Sequence, residues 1–137
     1  IGLVGSEMCI RDRTGTDRKT IIENQLEDTD HDYLGKLITY ASGKSADIVI
    51  WVVKRAREEH RSAIEWLNNH TDENIALFLV EIKLYQIGSS DIAVKFEVVE
   101  KPNDWTRKPT ESLYLIRQIF KIRISGLNSS IGRWTLP

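Results

Sequence analysis

The chain is short of cysteine, of long apolar runs and of net charge, and each shortage closes off a class of protein. Cys9 is the single cysteine among 137 residues, so no internal disulfide can form. It has no cysteine partner, and His31, His60 and His70 are scattered, so no zinc-ligand spacing is present. No apolar run approaches the roughly 20 residues that a bilayer-spanning helix needs. The first residues lack the basic start and apolar stretch of a secretory signal. The expected location is therefore the cytosol, with no membrane partner. The sequence carries no internal repeat and no low-complexity tract.

The net charge of -1 neither argues for nor excludes a nucleic-acid partner, but it is unevenly spread. Residues 1–100 hold 12 Lys and Arg against 18 Asp and Glu, and residues 101–137 hold 7 against 2. An acidic core suits a metal site better than a general phosphate-binding surface. With 41% hydrophobic and 28% charged residues, the composition is that of one ordinary globular domain.

The pattern of apolar residues orders the middle of the chain. Residues 20–26 read as a strand. Thr29, three residues before Asp32, is a helix-start signal. Leu34, Leu37, Ile38 and Ala41 then mark one apolar helical face, and Gly43 marks its stop. Residues 48–53 are a continuous β-branched run, typical of a strand buried on both faces. A second helix is expected over 57–69, with Ala63, Ile64 and Leu67 on its buried stripe, His60 one turn earlier, and Asn68 to Thr71 breaking it. Two strands follow around the Gly88–Asp91 turn. Val80, Ile82 and Leu84 point one way in the first, with Glu81 and Lys83 on a wet face. The expected fold is α/β, a mixed sheet with packed helices in the order β-α-β-α-β-β.

The chemistry concentrates on Ile22-Glu23-Asn24-Gln25-Leu26. In a strand Glu23 and Gln25 project from the same face. A carboxylate beside a second polar group is an odd choice for a core strand. It makes sense if the carboxylate holds a hard divalent cation such as Mg²⁺. The structural alternative is a hydrogen-bonding pair.

The run IIENQLEDTDHDYLGKLITYASG resembles the motif strand and following helix of PD-(D/E)XK nuclease-like proteins. More closely, it resembles a prokaryotic family of undefined function with an IENQLE-TDH-LG-LLTYA stretch. The later EEHRSAIEWLN, VEIKLYQIG and KPNDW segments fit the same family, so the resemblance covers about residues 18 to 105. It implies a restriction-endonuclease-like core, Mg²⁺ as cofactor, and hydrolysis of DNA phosphodiesters, with RNA as the alternative substrate.

By that resemblance Glu23 takes the place of the acidic metal ligand. Gln25 takes the place of the lysine that orients water, though glutamine supplies no positive charge. Tyr40 matches the tyrosine of the helix motif of RecB-like nucleases, and Lys36 stands where its glutamine would be. One turn apart, the two share a helix face from which both can approach a phosphate. The first aspartate of the motif belongs on a preceding strand. Asp12 lies 11 residues before Glu23 and is read as an accidental match.

Residues 1–13 resemble translated sequencing-adapter read-through and are read as a non-native segment, the alternative being a native N-terminus. Residues 14–105 are then a partial, N-terminally truncated nuclease-like domain, inactive by itself. Residues 106–137 are a linker or the truncated start of a following domain. The rival to a nuclease is a non-catalytic nucleic-acid-binding or protein-interaction module that keeps the fold.

Other candidates have plainer readings. Glu81-Ile82-Lys83, with Asp72 nine residues before Glu81, spells the nuclease motif by letters but is followed only by a hairpin, so a solvated pair is expected. Asp28, Asp30, His31 and Asp32 are weighed as metal ligands against capping of the helix, which is favoured. Trp51 and Trp66 are expected in or near the core. Arg55, Arg57 and Arg61 read as a charged helix start, or as phosphate contacts.

Overall fold

The computed structural model describes the backbone of Cys9–Asp12 and all of residues 19–103. The reading of 106–137 as a linker or the truncated start of a following domain falls outside the described residues. The elements run β1 (Cys9–Asp12), β2 (Lys19–Asp28), α1 (His31–Gly43), β3 (Ile48–Arg55), α2 (Glu58–His70), β4 (Ala76–Tyr85) and β5 (Ala93–Glu100). From β2 onward this is the expected α/β order.

The sheet follows chain order, β1-β2-β3-β4-β5. The two crossover connections make β2–β3 and β3–β4 parallel, while β1–β2 and β4–β5 are antiparallel. Two right-handed crossovers stepping in the same direction place both helices on one face. The core agrees. Leu37 of α1 and Ile64 of α2 pack with the odd-numbered residues Ile21, Val49, Trp51, Val53, Leu77 and Leu79. The even-numbered residues Ile22, Ile48, Ile50, Val52, Phe78 and Val80 are buried as well. That is why 48–53 carries no alternation: a central parallel strand needs apolar groups on both faces.

Several local expectations are corrected. Helix α1 is capped by Asp30, whose carboxylate accepts from the Tyr33 N–H at 2.7 Å, and Thr29 precedes the cap. Ile38 is 41% exposed, because α1 rests on the sheet through a narrower stripe of Leu34, Leu37 and Ala41. The left-handed turn after α1 is taken by Ser45 (φ 51°), with Gly43 still helical. Asn68 does not break α2, which runs on to His70. Its side-chain amide donates to the Leu77 carbonyl and accepts from the Leu77 N–H, both at 2.9 Å. Strand β5 pairs with β4 only from Leu79 onward, so Asn68 satisfies β4 backbone groups that lie beyond its neighbour.

Strand β4 also differs from the alternating reading, since residues 76–80 are buried on both faces. Glu81 lies on the face that carries Leu77 and Leu79, is half-buried, and accepts the Ala56 N–H at 2.8 Å. Lys83 reaches Glu97 at 2.8 Å and Glu81 at 3.6 Å. Glu81 is thus a loop anchor as much as half of a surface pair.

A bulge in β5, opposite Leu79 and Val80, turns Val99 onto the helix-side core and Glu100 toward Arg61. Arg61 binds Glu58, Glu65 and Glu100, so α2 and β5 share one cation. Its role is this ion cluster. Among the described residues no helix is long and apolar enough to cross a membrane.

Candidate functional site

In open α/β sheets, ligands bind beyond the carboxyl ends of the parallel strands. Here that edge is formed by the ends of β2 and β3 and the starts of α1 and α2. Most of the polar residues singled out from the sequence gather there.

Glu23 and Gln25 sit on the helix-facing side of β2, 4% and 1% exposed. Gln25 is closed into a network. The Trp51 indole N–H, which can only donate, gives its hydrogen to Gln25 Oε1 at 3.1 Å. That fixes the amide's orientation. Gln25 Nε2 then donates to the Asp28 carbonyl at 2.7 Å and to Asp30 Oδ2 at 3.0 Å. Both amide hydrogens and one carbonyl lone pair are used. A glutamine held this way ties β2 to β3 and to the α1 cap.

Beside it runs a second chain of bonds. Thr29 Oγ accepts the Arg57 N–H at 2.9 Å and lies 2.7 Å from His60 Nδ1. His60 Nε2 lies 2.7 Å from His31 Nδ1. One arrangement uses every donor: the Thr29 hydroxyl donates to His60 Nδ1, and His60 Nε2–H donates to His31 Nδ1. The Trp51 ring meets His60 edge-on, with centroids 5.9 Å apart. Burial of His60, then the neighbouring His31, holds its pKa below the ordinary histidine value. Glu59 and Asp30 act weakly in the opposite sense. His31 itself is exposed at the start of α1.

Thr29 and His60 were not among the sequence's site residues. The available signal was a histidine one turn before Ile64 on an apolar stripe. A buried imidazole must find partners, but the sequence does not name them.

Two of the candidates, Lys36 and Tyr40, separate from this edge. Lys36 and Tyr40 (47% exposed) lie on the open side of α1, and the Lys36 ammonium sits 5.1 Å from the Tyr33 ring centroid. The fold therefore leaves them at the surface while Glu23 and Gln25 are buried. Asp28 pairs with Arg55, and Asp30 is spent on the cap and on Gln25. Trp51 is fully buried, whereas Trp66 is 59% exposed and stacks on His70. The neighbours of Asp72 are Asn74 groups, at 2.7 and 2.8 Å, in a turn.

A Mg²⁺ site of the nuclease kind needs a second carboxylate near Glu23. The β1 register places Asp12 opposite Lys19. That is four residues along β2 from Glu23, about 13 Å at strand rise. The Gln25 carbonyl oxygen already accepts the Trp51 N–H. Among the described residues no three His, Cys, Asp or Glu side chains gather to hold a metal ion. Among the described residues, then, the side chains do not by themselves form a site for a resident Mg²⁺. No family model matches the chain, and no curated protein or solved structure matches it either.

Proposed function

We propose that the chain is a PD-(D/E)XK-type domain of a cytosolic, Mg²⁺-dependent DNA nuclease, carrying half of the metal site and cutting nothing by itself. The observation that supports this reading is the placement of Glu23. It is a buried carboxylate on β2, the strand that leads through a helix into a parallel neighbour, in a stretch that resembles the nuclease motif. Asp12, opposite Lys19 and four residues along β2 from Glu23, does not supply the second ligand that the motif calls for. The second reading is a non-catalytic nucleic-acid-binding or protein-interaction module. It is favoured by the closed bonding of Gln25, which stands where a water-orienting group would be needed.

The test is a Mg²⁺ titration of the purified chain with plasmid, single-stranded DNA and single-stranded RNA, for wild type and Glu23→Ala. Binding is followed in parallel by fluorescence anisotropy. The expected result is DNA binding without cleavage in both proteins. Cleavage that needs both Mg²⁺ and Glu23 would refute the half-site. Tighter binding of RNA would reassign the substrate, and loss of all nucleic-acid binding would leave only the protein-interaction reading.

A further inference from the structure

Among the described residues β5 forms one edge of the sheet, with β4 as its strand neighbour. An edge strand offers its outer N–H and C=O groups to another strand. What pairs there is decided by the side chains that would come to lie opposite one another.

Lys95 is 59% exposed, and its nearest carboxylate, on Glu97, is 4.0 Å away. Glu97 is 47% exposed, with Lys83 already on one side at 2.8 Å. Both side chains lie on one face of β5, either side of Phe96. The occupant with matching chemistry is β5 itself. A closed pair requires a two-fold axis normal to the combined sheet. Such an axis keeps every side chain on its own face, so it must pass through a residue and not between two.

The choice of residue then follows from charge. An axis at Lys95 or at Glu97 sets like charges directly opposite. An axis at Val94 sets Glu97 against Asp91, and one at Val98 sets Lys95 against Lys101. An axis at Phe96 sets Lys95 against Glu97 of the second copy, twice, and Val94 against Val98, twice. We propose that the chain forms an antiparallel dimer through the β5 edge, with its two-fold axis at Phe96 and two Lys95–Glu97 pairs fixing the register.

A single strand pairing buries little area, so the dimer belongs to the weak class of interfaces and forms at micromolar or higher concentration. Its exposed ion pairs make it weaker in salt. Sedimentation equilibrium of the full chain, from low micromolar to several hundred micromolar, measures this directly. The expected result is a monomer–dimer equilibrium that Lys95→Glu weakens about tenfold or more, since two attractive pairs become repulsive. Glu97→Lys is expected to do the same. An equimolar mixture of the two variants is expected to regain association as a heterodimer, because each supplies the charge the other lost.

Glu97→Lys also removes the intrachain partner of Lys83, so its fold is checked by circular dichroism. If it fails to fold, the ranking wild type above Lys95→Gln above Lys95→Glu carries the test. A wild type that stays monomeric throughout the range overturns the proposal. So does a dimer indifferent to the charge of residue 95, or a mixture that does not associate.

Discussion

The indole N–H of Trp51 on β3 donates to the amide oxygen of Gln25 on β2, both side chains having been drawn under the helices. Through Gln25 the bond continues to Asp30, the residue that caps α1. One buried amide therefore ties two parallel strands to the start of a helix. Gln25→Ala strands the Trp51 N–H and one Asp30 oxygen, and is expected to cost about 2–3 kcal/mol. Gln25→Lys, which restores the nuclease lysine, is expected to cost at least as much, since an ammonium cannot accept from the indole. Urea unfolding of the two variants checks both. A loss below about 0.5 kcal/mol for Gln25→Ala, the usual range of an inert surface change, would show that the network is not holding the strands.

Asn68 occupies the backbone edge of β4 at Leu77 through two 2.9 Å hydrogen bonds. Asn68→Ala leaves a half-buried N–H and C=O without these partners and is expected to destabilise by about 1–3 kcal/mol. Asn68→Asp keeps the acceptor but sets a carboxylate oxygen against the Leu77 carbonyl, so it should cost at least as much. Amide exchange at Leu77 is the local readout. Exchange unchanged in Asn68→Ala would remove this role.

Ser45 carries the left-handed turn that follows α1. A residue with a Cβ is strained there, by roughly 1 kcal/mol. Ser45→Gly relieves this, partly offset by the greater freedom of glycine in the unfolded chain. A net gain of a few tenths to about 1 kcal/mol is expected in thermal or urea unfolding, and a loss would contradict the turn geometry.

His60 gives the fold an acid sensitivity. Its pKa in the folded chain lies below the ordinary value of 6.5, chiefly from burial and from His31. As pH falls below about 6.5, the unfolded chain takes up this proton first, so stability drops. The drop levels off once the pH is below the folded-state value. His60→Gln keeps a polar group in place and removes the titration. The difference in unfolding free energy between wild type and His60→Gln should therefore shift in favour of the variant between pH 7 and pH 5. A constant difference over that range would show that His60 does not titrate in this way.

Read along the chain, the apolar pattern alone was enough for the α/β order from β2 to β5. Hydrophobic periodicity is a local property: a β-branched run without alternation at 48–53 and a stripe at Leu34, Leu37 and Ala41 declare their elements without help from the rest of the fold. Glu23 and Gln25 were also legible as a same-face pair, because strand periodicity alone determines that. Tertiary structure decided what that pair does. Trp51 lies 26 residues from Gln25, and His60 lies 29 from His31 and 31 from Thr29. Such partners meet only when parallel pairing brings the ends of β2 and β3 together. Glu81 keeps its pairing with Lys83, but its second role was hidden for the same reason. Its alternation in sequence reads as solvent-facing, but a crossover loop descends on that face and supplies the Ala56 N–H. Sequence determines which way a side chain points within its own element. Only the packing of distant elements determines what it meets there.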